Sequence, residues 1–196
     1  MAGVDEAGRG CLAGPLAVGI SIFHKNFFLN PLPDELQEID DSKKIPPAKR
    51  EFLLDSIKKH ASYSCVVQIS NRWIDKIGIN PATEYAIIRG LLRAQIDRIY
   101  PEKMFLDGNF KFKNIPSYFP DLDYQSIKSG DSRVFSIAAA SILAKVTRDR
   151  RMKRYNRFFP GYDLDLHKGY GTKSHRESIK KNGLSPIHRK SYTLKS

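Results

Sequence analysis

Two adjacent carboxylates, Asp5 and Glu6, run straight into Gly8-Arg9-Gly10 near the start of the chain. An unpaired carboxylate on a short apolar strand is costly to bury, so such a pair must be solvated, matched with a base or bound to a cation. The Gly-Arg-Gly turn offers backbone N–H groups and one guanidinium, which suit a phosphate or a sugar hydroxyl. Two further acids stand out by context. Asp107 closes an apolar run from Lys103, and Asp131 follows Lys128-Ser129-Gly130 ahead of a helical stretch. Clustered carboxylates raise one another's pKa unless hard cations neutralise them, so these four acids brought together call for Mg²⁺ or Mn²⁺. Two such ions about 4 Å apart can activate a water and stabilise the leaving oxygen of an in-line displacement at phosphorus. Chemistry on a phosphodiester is the reading. Each acid alone has a plainer use, and Asp131 in particular would make a good helix N-cap.

The elements that must position these acids can be read from periodicity. The first strand ends at the acids, and Gly14–Phe23 is an apolar, partly alternating run that reads as a second. Residues 26–45 form a loop rich in Pro, Asp and Asn that carries Asp41-Ser42-Lys43-Lys44. Pro46-Pro47 opens a helix through about His60, Ser62–Ser70 reads as a third strand, and Asn71 caps a short helix. A longer helix spans about Pro81 to Ile96, and Lys103–Asn109 and Asp123–Lys128 read as short strands. Asp5 and Asp107 then meet if their two strands are neighbours. In a regular strand Asp5 and Glu6 point to opposite faces, so both serve one site only if the strand twists or ends there. Ser132 begins a long helix whose Ala138-Ala139-Ala140-Ser141 run permits close packing on a sheet. Gly161–Thr172 reads as loop, and a last helix from about Lys173 ends at Gly183. The alternation implies an α/β sheet with helices on both faces.

Charge locates a partner. Of a net +12, residues 1–143 hold 18 Lys/Arg against 17 Asp/Glu, while residues 144–196 hold 15 against 4. A basic block with Tyr155, Phe158, Phe159, Tyr162 and Tyr170 interleaved is the footprint of a nucleic-acid-binding face. The 196 residues suit a single domain, about 1–158 as core and about 159–196 as a basic C-terminal helical segment. Two cysteines, Cys11 and Cys65, make no disulfide framework, so a reduced, cytoplasmic protein is expected, with neither a membrane span nor a secretion signal. His167, His175 and His188 sit in the basic tail and read as phosphate contacts, or as residues without a role, rather than as metal ligands. No Ser-His-Asp or Cys-His arrangement and no phosphate-cradling loop of the P-loop type is signalled.

Together these segments resemble the ribonuclease HII family. The resemblance rests on Gly3–Gly10 with Leu12-Ala13-Gly14-Pro15, Asp41–Lys44, Leu106-Asp107-Gly108-Asn109, Gly130-Asp131-Ser132, Ala139–Asp149 and His167-Lys168-Gly169-Tyr170, in this order and at compatible distances. It implies a ribonuclease H-like fold, a mixed central sheet flanked by helices with a C-terminal helical segment over the substrate, and a metal-dependent endonuclease that hydrolyses the RNA strand of RNA–DNA hybrids. The same enzyme would cut 5′ to a single ribonucleotide in duplex DNA, leaving 3′-hydroxyl and 5′-phosphate ends. It implies Asp5, Glu6, Asp107 and Asp131 as catalytic, metal-binding acids. Gly8, Arg9 and Gly10 would read the 2′-hydroxyl, the group that separates RNA from DNA, and Tyr170 would stack on the adjacent sugar. Ser42, Lys43, Asn109 and Lys168 complete the substrate contacts. Cys11 stands where the family usually has proline, and Lys128–Asp131 is one residue longer than the common Lys-Gly-Asp. No sliding-clamp peptide is read at the C-terminus, and a monomer is expected.

A hybrid-binding module without catalysis is the first competing reading, but such a binder gains nothing from a repulsive acidic cluster facing phosphates. A junction resolvase or transposase-type nuclease is the second; it would share the acids without needing the Gly-Arg-Gly and Lys-Gly-Tyr turns.

Overall fold

The computed structural model describes residues 1–40, 42 and 44–192. Five strands form one mixed sheet in the order β3-β2-β1-β4-β5, with β1 Ala2–Ala7, β2 Leu16–Ile22, β3 Tyr63–Ile69, β4 Lys103–Asp107 and β5 Asp123–Ile127. β1, β2 and β3 pair antiparallel, while β4 joins β1 in parallel with Val4 opposite Leu106, and β5 joins β4 in parallel. Parallel pairing of β1 and β4 brings the ends that carry Asp5 and Asp107 side by side. The two strands are neighbours, as the acid reading requires.

Helices cover both faces. Helix α5, Phe135–Phe158, lies on one face and α3, Ile79–Ile96, on the other. A Cβ added at Gly3 would sit 2.1 Å from the Ser136 carbonyl carbon, and one at Gly19 would sit 2.2 Å from the Ala140 oxygen. The Ala138–Ser141 run therefore rests directly on strand backbone, and even one methyl group on β1 or β2 would push the helix off. Helix α1, Pro47–His60, packs Leu53, Leu54 and Ile57 against Ile142, Leu143 and Val146 of α5. The α3 face buries Val4, Ile20, Ala86, Ile87 and Leu91. A third cluster joins Leu12, Ala13 and Met152 to Tyr162, Leu164, Ile179 and Ile187, and so ties the C-terminal segment to the turn after β1.

Several local expectations are corrected. Ser70, not Asn71, caps α2 (Asn71–Ile77), because its hydroxyl accepts the Trp73 amide. Asp131 is not the cap of α5, which starts only at Phe135 behind Val134; it lies in a single 3₁₀ turn at Gly130–Ser132. The loops at 26–45 and 161–172 hold short turns, among them two 3₁₀ segments and the one-turn helix α6, Leu164–His167. A further turn, α4 at Ile115–Tyr118, follows β4, and α7 spans Lys173–Asn182. Among the described residues no helix is long and apolar enough to cross a membrane.

Candidate active site

Asp5, Asp107 and Asp131 meet at the C-terminal ends of β1 and β4, with one carboxylate oxygen of each lying within 4.8 Å of the others. Three supports fix them. Asp5 accepts its neighbour's amide, Glu6 N–H, at 2.7 Å and also accepts the Ser141 hydroxyl. Asp107 Oδ1 accepts the Gly130 amide at 2.7 Å. Ser141 in turn lies 2.7 Å from the buried Ser42 hydroxyl, so donation runs from Ser42 to Ser141 to Asp5. Burial first, then repulsion from Asp107 and Asp131, pushes the Asp5 carboxyl up to about 7. A cation among these oxygens would remove that penalty, and an all-carboxylate donor set suits a hard divalent ion. The residues present thus fit Mg²⁺ or Mn²⁺.

Glu6 is not part of this trio. β1 continues through it to Ala7, with Glu6 opposite Val18, so strand alternation turns it to the face away from Asp5. The longer Lys128–Asp131 segment still delivers its acid, with Ser129 in the left-handed region at φ 54°.

Arg189 holds the Gly8–Gly10 turn from beneath, and Arg148, packed against Gly8, holds the backbone beside it. Arg189 donates to the carbonyl oxygens of Gly8 (2.6 Å), Arg9 (2.7 Å) and Gly14 (3.0 Å). Arg148 donates to Ala13 (3.1 Å), Pro15 (2.9 Å) and Lys168 (2.9 Å). Both side chains are buried, at 2% and 1% exposure, and spend their donors on backbone rather than on carboxylates. Gly8 has φ +87° and a Cβ there would fall 1.9 Å from Arg148 Nε, so no other residue fits. At Gly10 an added Cβ meets nothing within 4 Å, so the protein itself does not require glycine there. The Arg9 guanidinium folds back onto Thr83 (3.1 Å), Asn80 and the Phe110 ring (4.9 Å), which leaves the backbone as the outward part of the turn.

Tyr170 stands beside this turn. Leu12 N–H bonds Gly169 O at 2.8 Å, the Tyr170 hydroxyl and the Cys11 thiol are hydrogen-bonded, and Arg148 lies 5.8 Å from the ring centroid. Tyr170 as a whole remains 42% exposed, which leaves room for a stacking face. Lys168 takes the left-handed conformation at φ 53° and its ammonium reaches the Asp165 carbonyl. It also lines a groove of about 300 Å³ with Lys145, Arg150 and Lys153. Asn109 is exposed just after Gly108, at the lip beyond Asp107. Ser42 is buried and sits under Asp5 rather than at the surface, and Lys43 lies outside the described residues.

The basic tail is not uniformly a polyanion face. Arg148 and Arg189 are interior, and His175 and His188 are buried at 0% and 1% exposure rather than turned to phosphate. One signal was available: Ile137, Ser141, Ala144, Arg148 and Met152 recur at helical spacing along the buried face of α5, which places an arginine on an apolar stripe. Ser141 read only as a packing residue, and nothing local marks Arg189.

Comparison with known proteins agrees with the geometry. The family model described as ribonuclease HII matches residues 2–195. A ribonuclease HII of Chlorobium luteolum is 42% identical over 195 residues, covering 98% of this chain and 88% of that protein. Among solved structures, the ribonuclease HII in a complex with PCNA from Archaeoglobus fulgidus superposes with a TM-score of 0.79 at 26% identity, over 100% of this chain and 96% of that one. The ribonuclease H2 of Pyrococcus horikoshii gives 0.74 at 27% identity, over 97% and 92%. With a whole-length family match joined to the acid cluster at the ends of two parallel strands, the chain belongs to the ribonuclease HII family.

Proposed function

We propose that this protein hydrolyses the RNA strand of RNA–DNA hybrids and cuts 5′ to single ribonucleotides in duplex DNA, leaving 3′-hydroxyl and 5′-phosphate ends. The observation that carries the reading is the three-carboxylate cluster lying at the end of the strand that leads into the Gly8–Gly10 turn. Asp5, Asp107 and Asp131 would hold Mg²⁺ or Mn²⁺, and Glu6, which leaves β1 on the opposite face, would have to bring its longer side chain round the strand end to complete a two-ion site. The chemistry that divalent ions supply there is activation of a water and neutralisation of charge on the leaving oxygen.

The chain's own residues do the rest. Ser141 keeps Asp5 aimed and favours its ionised form. The backbone of Gly8, Arg9 and Gly10 meets the ribose 2′-hydroxyl, and the open space over Gly10 lets a sugar approach that closely. Tyr170 stacks on the neighbouring sugar, and with a 2′-hydroxyl contact on one side it makes the RNA-to-DNA step the preferred register. Lys43, Asn109 and Lys168, with Lys145 and Lys153, take the flanking phosphates, an affinity that is independent of sequence and sensitive to salt. Ser42 acts through Ser141 rather than by direct contact. The core to about residue 158 carries the acids, and the segment from about 159 brings the junction-reading tyrosine. We read the protein as a cytoplasmic monomer. The archaeal relative is solved with PCNA, whereas no clamp-binding peptide is read here, and the last four residues lie outside the described ones.

The test uses duplex DNA carrying one ribonucleotide, with all-DNA and hybrid controls, in Mg²⁺, in Mn²⁺ and with chelator. Metal-dependent incision 5′ to the ribonucleotide, with the all-DNA duplex intact, supports the reading. Tight hybrid binding without incision would move the protein to the binding-module class, and cutting of the all-DNA control would make it a different nuclease.

A further inference from the structure

Three histidines lie beneath the turn that presents Tyr170, and each ring nitrogen that meets a backbone group has its role fixed by that group. His188 Nδ1 accepts the Ser185 amide at 2.9 Å, so an uncharged His188 carries its proton on Nε2. His175 Nδ1 faces the Tyr170 carbonyl oxygen at 2.9 Å, and since a carbonyl only accepts, Nδ1 carries the proton there. The two remaining nitrogens, His188 Nε2 and His175 Nε2, face each other at 3.1 Å. One must donate and the other accept, and the backbone has already decided which. His167 is fixed in the same way: Nδ1 accepts the Gly169 amide at 3.1 Å and Nε2 donates to Tyr162 O at 2.6 Å.

We infer that His175 and His188 are positioning residues for Tyr170, joined in a one-way hydrogen-bond chain from the Ser185 amide to the Tyr170 carbonyl that stands only while both rings are uncharged. The inference rests on the junction-reading role given to Tyr170 above. A proton added to His188 would go on Nδ1, which also lies 2.8 Å from the Ser185 hydroxyl; that hydroxyl could turn to accept it, but the Ser185 amide would lose its acceptor. A proton added to His175 would go on Nε2, which would set two N–H groups against each other. Either change breaks the chain at a buried site where an unmatched polar group has no water to turn to.

The surroundings favour the uncharged state. Burial leads in lowering the pKa of all three rings, and it takes His175 to about 4. His167 stacks on His175 with ring centroids 4.2 Å apart, so a charge on either would repel the other. The nearby Asp163, Asp165 and Lys168 face His167, while the His188 ring packs on Tyr162 at 5.1 Å. Tyr170 N–H bonds His167 O at 3.0 Å, and its own carbonyl also accepts Thr172 N–H at 2.8 Å, so this peptide is held on both sides. The side chain it presents belongs to the partly exposed residue beside Gly8–Gly10.

The experiment has two arms. Long-range ¹H–¹⁵N spectra of the imidazoles in the intact protein should show His188 as the Nε2–H form and His175 as the Nδ1–H form at about pH 7.5, and His175 should keep that form down to about pH 5.5. Any other tautomer of either ring at the higher pH, or a charged His175 in that range, overturns the chain. In the second arm, rates on a single ribonucleotide in duplex DNA and on a long hybrid are measured for His175→Leu, His175→Asn and Tyr170→Ala. Their ratio cancels any loss common to both substrates. Asn places an N–H donor near the Nδ1 position, so His175→Asn should keep the ratio while His175→Leu lowers it about tenfold through misplacement of the ring. Equal ratios for the Leu and Asn variants overturn the positioning role. A ratio that falls with Tyr170→Ala but not with His175→Leu does so too. A ratio indifferent to Tyr170→Ala overturns the junction reading itself, whatever the spectra show. Should His175→Leu fail to fold, the spectra of the unsubstituted protein decide the chain.

Discussion

Asp107 Oδ1 accepts the Gly130 amide at 2.7 Å, so one acid of the cluster holds the backbone that presents the next, Asp131. An asparagine at 107 keeps an oxygen that can accept this bond and removes only the charge. Asp107→Asn should therefore fold and bind a hybrid while incision falls to background. Circular dichroism and a hybrid-binding titration check this, and loss of folding would show the carboxylate to be structural.

Ser141 is the donor that keeps Asp5 aimed at its partners. Outer hydrogen bonds of this kind govern metal affinity by about 10–100-fold. Ser141→Ala should weaken Mn²⁺ binding by that order with little effect on hybrid binding in chelator. Calorimetric titration of the ion reads it directly, and unchanged affinity would leave the Ser42–Ser141 pair a packing contact.

The Asp5 carboxyl is raised from 3.8 to about 7, so the folded, metal-free protein keeps a proton that the unfolded chain has lost. Between those two values the folded state binds more protons, and this group's contribution to stability declines as pH rises. Ion binding must expel that proton. At about pH 6, Mn²⁺ binding should release about one proton, and at about pH 8.5 none. Calorimetry in buffers of differing ionisation enthalpy measures the count, and no release at the lower pH would contradict the raised value.

Replacing Arg189 by an apolar chain of similar length strips a charged donor from three carbonyl groups; Arg9 O keeps the Tyr192 hydroxyl and Gly8 O the long Cys11 amide contact, while Gly14 O loses both its guanidinium donors. Arg189→Met should cost about 3 kcal/mol in urea unfolding. Incision should fall more on the single-ribonucleotide duplex than on the hybrid, because the turn that loses its support is the one proposed to read the 2′-hydroxyl. A stability loss with equal effects on both substrates would confine Arg189 to the fold.

Hybrid affinity should fall steeply with salt, and each phosphate-contacting lysine should account for about one unit of the slope. Lys153→Ala, in the groove beside Lys145 and Lys168, tests this by filter binding from low to high salt. An unaltered slope would remove that groove from the substrate path.

The fold was largely legible because its signals are local. β1, β2 and β4 are short apolar runs, the small residues of α5 announce close packing, and the pairing of Asp5 with Asp107 follows once β1 and β4 are neighbours. The alternation that separates Glu6 from Asp5 was also foreseeable. What escaped was everything decided by distant partners. Arg148 and Arg189 count as two more charges in a basic tail until the turn they hold is placed over them, and His175 and His188 look like surface residues until each finds the other. Ser42 and Asp131 could not be settled locally for a related reason, since a hydroxyl or carboxylate in a turn has the same local signature whether it caps a helix, meets a substrate or supports another side chain; Asp131 reached its reading only beside the other acids.

The contact between Arg189 and Gly8 spans 181 residues. A growing chain emerges in order, so the acids of β1 are made long before the guanidinium that steadies the turn beside them. Domains tend to settle as units during synthesis, and contacts this far apart form late. The turn after β1 would thus take its final shape only once Arg189 has joined the fold, and until then the acids would stand beside a turn that lacks this support.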